Sequence, residues 1–182
     1  MNNTNQPTLL GVSVKTIIVH TITYFFMGVL AFILLNYTQS YSNGVLACFM
    51  RPTTDLLVKA GVLFQPIRGL IFALAFYPLR EILFGKKNGW LIMWWTLIAL
   101  GILSTFAPAP ASIEGMIYTT LGMPTITSYV EIVPQAFLLS GILFYWDNHP
   151  EKKWMSWVLG IIFVIVVLLP VLGLLATRLQ AH

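Results

Sequence analysis

The sequence predicts an all-α integral membrane protein with five transmembrane helices, forming a single transmembrane domain over residues 1–182. Three observations lead there. First, 58% of the residues are hydrophobic and 9% charged, against roughly 45–50% and about 25% in an ordinary soluble domain. Second, mean hydropathy is +0.83, and ten basic plus six acidic side chains cannot clothe a soluble protein of this size in a polar surface. Third, apolar runs recur at about 20 residues, the length a helix rising ~1.5 Å per residue needs to cross a hydrocarbon core of ~30 Å. Disorder, a disulfide-built secreted scaffold and most soluble enzymes are excluded.

The first span covers about residues 16–35, and the polar stretch after it begins at Asn36. His20 lies inside it with Thr16 and Thr23 on its face. A histidine there bonds a neighbouring helix or a backbone carbonyl, and with no second histidine at ligand spacing it is read as neither a metal nor a haem ligand. The sequence calls for no cofactor.

A long connection follows. Its polar opening, residues 36–43, holds the sequon Asn36-Tyr37-Thr38, which lies too close to a span end to be modified. Val45-Leu46-Ala47-Cys48 has a faint likeness to a lipoprotein cleavage box, but the polar stretch separates it from the apolar run, so no processing is expected. Cys48 is the single cysteine, which excludes an internal disulfide and any multi-cysteine metal or redox motif. Pro52, Thr54 and an Asp55/Lys59 pair at helical spacing predict a short interfacial helix from near Thr54 that runs into the next span.

The second span covers about residues 62–84, with Pro66 and Pro78 inside it, and Gly69 and Ala73 at a spacing that permits close helix contact. Arg80 and Glu81 near its end read as interfacial anchors within snorkelling reach of water. A turn at Gly85-Lys86-Lys87-Asn88-Gly89 leads to the third span, about residues 90–106. In the second long connection Pro108, Pro110 and Pro124 flank a one- to two-turn half-helix from Ile113 capped by Ser112, expected at the membrane surface. The fourth span covers about residues 129–146. A second lysine-bearing turn, residues 147–153, leads to the fifth, about residues 154–176, which reads as a lipid- or partner-facing anchor kinked near Pro170 and Gly173. No internal repeat supports an inverted-repeat transporter core.

With five spans, Lys15, Arg80, Lys86, Lys87, Lys152 and Lys153 share a side, against Arg51, Lys59 and Arg178 on the other. The positive-inside rule then puts the protein in the cell membrane with a cytoplasmic N-terminus and an external C-terminus. Trp90, Trp94, Trp95, Trp146, Trp154 and Trp157 flank the two lysine turns and mark the same interface.

Polar residues that lipid should have excluded are the informative ones, because an ionised side chain near the bilayer centre costs at least ~2.5–3.5 kcal/mol. Gln65 and Arg68 lie on one face of span two, Arg68 about 9 Å below Val62. Glu131 and Gln135 lie at i, i+4 in span four, which enters from the same side. Glu114 overhangs that layer in the proline-bounded connection. The candidate ligand-binding residues are thus Arg68, Glu114, Glu131, Gln65 and Gln135, with Arg68 as the fixed positive charge of a polar pocket, or as the partner of Glu131 or Glu114 in a structural clamp.

The leading functional reading is a non-catalytic or accessory membrane protein whose outer pocket binds a lipid headgroup, a small anion or a membrane partner. Its partners would be membrane lipids, other membrane subunits or further copies of itself; no soluble domain is present for nucleic acid. A second reading is an enzyme acting on a lipid or isoprenoid with Glu114 and Glu131 as acid and base, although the sequence has no activated serine or cysteine constellation, histidine pair or acidic cluster suited to Mg²⁺. A third is proton- or ion-coupled transport along an oligomer interface.

Overall fold

The structure, a computed structural model, describes residues 7–43, 45–120 and 123–180. Gly44 of the first connection and Leu121 and Gly122 of the second lie outside the described residues. Nine α-helices and no strand occur among the described residues. Four helical stretches, Leu9–Leu34, Gly61–Leu83, Ile126–Asn148 and Lys153–Leu179, are long and apolar enough to cross a membrane.

Helix α1 (Leu9–Leu34) begins seven residues before the predicted span. Leu9, Leu10 and Val12 continue the helix-forming pattern through Lys15, and the Thr8 side chain caps it by accepting from the Gly11 N–H at 3.1 Å. Lys15 is tolerated because its ammonium meets Asp147 at 2.8 Å. At the other end Asn36 adopts a left-handed conformation (φ 47°), a place where asparagine replaces glycine at modest cost, and turns the chain into α2 (Tyr37–Ser42).

Helix α3 (Leu56–Lys59) starts two residues after Thr54, because Asp55 is its cap: the carboxylate accepts from the Leu57 N–H at 2.7 Å. A capping carboxylate points back over the helix start, so its ionic partner is Arg51 at 3.0 Å and not Lys59 as expected. The Leu57 N–H and then Arg51 hold the Asp55 carboxyl below its ordinary range. Lys59 is left free of any carboxylate among the described residues.

The second span is broken where its prolines fall. A 3₁₀ turn (Gly61–Phe64) precedes α4 (Gln65–Phe76), and another (Tyr77–Leu79) precedes α5 (Arg80–Leu83). Pro66 and Pro78 each sit in the first turn of a segment, where the missing N–H has no helical acceptor to lose. Helix α6 (Gly89–Ile98) runs into a π-helical turn (Ala99–Leu103). The pair is shorter than the predicted 90–106: at ~1.5 Å per residue it reaches about 22 Å, short of a ~30 Å core. It stops at Ser104, after which Thr105 Oγ1 bonds the Ala107 carbonyl at 2.8 Å and the prolines begin.

Helix α7 (Ile113–Tyr118) is the short helix expected between the prolines, and Ser112 Oγ caps it by accepting from the Gly115 N–H at 2.9 Å. Tyr129, donating to the Ala111 carbonyl at 3.0 Å, ties it to the entrance of α8 (Ile132–Asn148). The last helix, α9 (Lys153–Gln180), is continuous through Pro170 and largely exposed along its apolar length.

Helix α1 is the hub against which α4, α8 and α9 pack. Gln65 lies opposite His20 and Gly69 against Ile17, so α4 runs antiparallel to α1. Asp147 meets Lys15 while Glu131 lies beside Gly28, so α8 does too. Two helices entered from the same end require the chain between them to return, and α6 with its π turn makes that return, packed on α8. The core near Lys15 is built from Val12, Val19, Ala73, Phe76, Leu83, Met93, Leu143 and Trp146.

The tryptophans near the two lysine turns differ in burial. Trp146 is buried, its indole N–H on Ser156 Oγ at 3.2 Å across the α8–α9 hairpin, and the rings of Trp90 and Trp94 pack edge-on against Phe137 in the body of α8. A Trp N–H usually finds a hydrogen-bond partner when its ring is buried, as at Trp146. Trp95, Trp154 and Trp157 stay exposed.

Candidate functional site

A cleft lies at the Glu131 end. The last turns of α1 run Tyr24, Gly28, Phe32 along one face, with Phe25 and Val29 beside them, and α2 folds back so that Tyr37 and Tyr41 face this stripe. Thr53, Val58 and Lys59 of the connection and Gly61 and Val62 of the following turn close the side, and Glu131 completes the wall. The resulting cleft is an open one of about 340 Å³, within the ~300–1,000 Å³ of small-molecule sites.

Its wall is mostly aromatic and aliphatic, with one carboxylate and one ammonium among the described residues. The Tyr37 hydroxyl donates to Glu131 Oε2. Glu131 Oε1 faces Gly28, lying 3.7 Å from where a β-carbon would stand there, so the glycine leaves that oxygen open to the cavity. The Tyr37 and Tyr41 rings stack with centroids 4.8 Å apart. Burial, and for Tyr37 also the bond to Glu131, pushes both phenols above their ordinary range, so Tyr37 remains a donor throughout the neutral range.

Beneath the cavity floor lies a buried polar pair. Gln65 Nε2 donates to the Gly61 carbonyl at 3.0 Å, so Gln65 Oε1 is the group facing His20 Nε2 at 3.1 Å and must accept from it. The proton of His20 is thereby fixed on Nε2. Its Nδ1 lone pair is buried and meets no donor among the described residues, and the Thr16 and Thr21 hydroxyls are likewise without partners there. The His20 ring stands edge-on to Phe72, centroids 4.9 Å apart.

Of the five residues singled out in the sequence, Glu131 lines the cavity. Gln65 is buried one step below it with His20. Arg68 is exposed on the outside of α4, its guanidinium 5.5 Å from the Phe72 centroid, and no carboxylate among the described residues pairs with it. The clamp from Arg68 to Glu131 or Glu114 is therefore not formed: Glu131 is taken by Tyr37, whose short reach from α2 needs no crossing of the cavity. Gln135 is half-buried one turn below Glu131, and Glu114 is half-buried in the first turn of α7; both lie outside the lining. The cation of the lining is Lys59.

Sequence reasoning missed the three tyrosines. Their signal was present as the i, i+4, i+8 series Tyr24, Gly28, Phe32 and the i, i+4 pair Tyr37, Tyr41. Aromatic residues near span ends are common enough that such a series does not by itself mark a site. No group of three or more His, Cys, Asp or Glu side chains that could hold a metal ion occurs among the described residues. Comparison of the chain with protein-family models, curated proteins and solved structures gives no match.

Proposed function

We propose that this is a multi-pass protein of the cell membrane that binds a membrane lipid in the cavity at the Glu131 end, in a non-catalytic or accessory role. The observation that carries the reading is the pairing of an aromatic and aliphatic wall with a single carboxylate and a single ammonium in one cavity, the complement of a molecule with an apolar tail and a polar head. The head lies at Glu131, Tyr37 and Lys59, and the tail leaves past Val29 and Phe32, both exposed on the outer turns of α1. Catalysis by two carboxylates finds less support, because Glu114 stands outside the cavity.

The topology that goes with this reading has five crossings, with Gly89–Leu103 as the third. Its support is the antiparallel placing of both α4 and α8 on α1, which obliges the intervening chain to cross back, and a short helix can do so among longer neighbours or in a locally thinned bilayer. The Glu131 end is then external, since the six basic residues gather at the Lys15 end. Arg68, about 10 Å along the helix from Gly61, is exposed, with its guanidinium 5.5 Å from the Phe72 ring centroid.

Native mass spectrometry from a mild detergent tests this. The wild-type protein is expected to carry one phospholipid mass per chain. Gly28→Leu, which fills the cavity beside Glu131, is expected to lose it at least tenfold, while Arg68→Gln retains it. A folded Gly28→Leu protein that carries lipid like the wild type would overturn the assignment.

A further inference from the structure

We infer that the headgroup this cavity accepts is a zwitterionic one bearing a quaternary ammonium next to a phosphodiester, as in a choline phospholipid. This rests on the lipid-binding reading above and narrows it to one ligand chemistry.

The cation half of that headgroup is matched by the rings. Tyr24, Tyr37 and Tyr41, with two phenylalanines, line the cleft beside Glu131; Tyr37 and Tyr41 are stacked, so each has one face left to offer. Aromatic faces are negative, and they attract a cation by about 0.5–1 kcal/mol each when exposed and ~2 or more when desolvated. A quaternary ammonium carries no N–H, so it enters such a cage without leaving donors unpaired. A primary ammonium has three donors to place. The Glu131 carboxylate already accepts from Tyr37 through Oε2 and offers mainly Oε1, on the Gly28 side, so a primary ammonium has to place its remaining donors on the Tyr24, Tyr41 or Thr53 hydroxyls, a demand a quaternary ammonium does not make.

The anion half is matched at the rim. Lys59 is exposed, lines the same cavity and has no carboxylate partner among the described residues, because Asp55 is engaged by Arg51 and by its own cap. A phosphodiester one two-carbon bridge away from the caged ammonium meets this cation as the head points inward toward Glu131. A wholly anionic head would instead bring its charge against Glu131, and a neutral polyol would gain nothing from the rings. Carboxylate inside and ammonium outside is the charge order of a choline headgroup read in complement.

The test is headgroup competition on the intact protein by native mass spectrometry, using three phospholipids with identical oleoyl chains and choline, ethanolamine or glycerol heads. The choline lipid is expected to be retained at least fivefold over each of the others. Glu131→Gln keeps an oxygen for Tyr37 to donate to, and Tyr41→Leu removes one ring; each is expected to abolish the preference while lipid is still carried. Equal retention of the three lipids, or preference for the glycerol head, overturns the choline assignment and leaves lipid binding standing. Absence of all three from folded protein overturns both.

Discussion

Replacing Gly69 by leucine is expected to prevent recovery of a monodisperse protein, and replacing it by alanine to lower its unfolding temperature measurably. A β-carbon at position 69 would lie 2.8 Å from the Ile17 α-carbon and 3.4 Å from the Ile17 nitrogen and the Thr16 carbonyl oxygen. All three are backbone atoms of α1, so no side chain can swing aside and the two helices must separate. Overpacking of this kind costs typically ~1–3 kcal/mol for small additions, and a leucine adds far more volume than one methyl. The separation is transmitted one turn along α4, where Gln65 meets His20 and Gly61 closes the cavity floor. Gly141 and Gly160 supply the control, since a β-carbon at either meets nothing within 4 Å. Gly141→Ala is expected to leave thermal unfolding in detergent unchanged or slightly improved, given the higher helix propensity of alanine. If Gly69→Ala unfolds no earlier than Gly141→Ala, α1 and α4 do not approach as described.

That contact was legible in the sequence as a glycine and an alanine four apart, and so were the Ser112 cap, the lysine turns and the need of His20 for a partner. These are local signals or follow from a single helical period. The pairings across helices were not legible. Depth and face suggested that Arg68 would meet Glu131, but the rotation of α4 sets Arg68 outward, and only the chain reversal at Asn36 reveals that Tyr37 can reach Glu131 first. Lys59 was assigned to Asp55 by spacing alone, whereas capping geometry took Asp55 away from it. The third span was drawn past Ser104 and Thr105 to take in Phe106, whereas the helix stops at Leu103.

The second large effect is expected at the buried pair beneath the cavity. Gln65→Leu leaves the His20 Nε2–H without an acceptor at a position with no access to water, and a stranded buried donor costs about 1–3 kcal/mol. His20→Leu strands the Gln65 carbonyl oxygen in the same way. The double variant strands neither. It also removes the Nδ1 lone pair, which has no donor among the described residues in the native protein. Unfolding in a mixed micelle is therefore expected to show each single change destabilising and the double change recovering most of the loss, a coupling within the ~0.5–3 kcal/mol seen for residues in contact. Simple addition of the two single effects would mean that His20 and Gln65 do not bond each other.

Photolabelling tests most directly whether the cavity between α1, α2 and Glu131 is where lipid sits. A phospholipid carrying a diazirine near its glycerol backbone, irradiated with the reconstituted protein and mapped by peptide mass spectrometry, is expected to label Val29, Phe32, Val58 and Val62. Unlabelled lipid in excess should compete that labelling away, and Gly28→Leu should abolish it. Labels spread along the exposed apolar length of α9 and absent from those four positions would contradict the cavity as a lipid site.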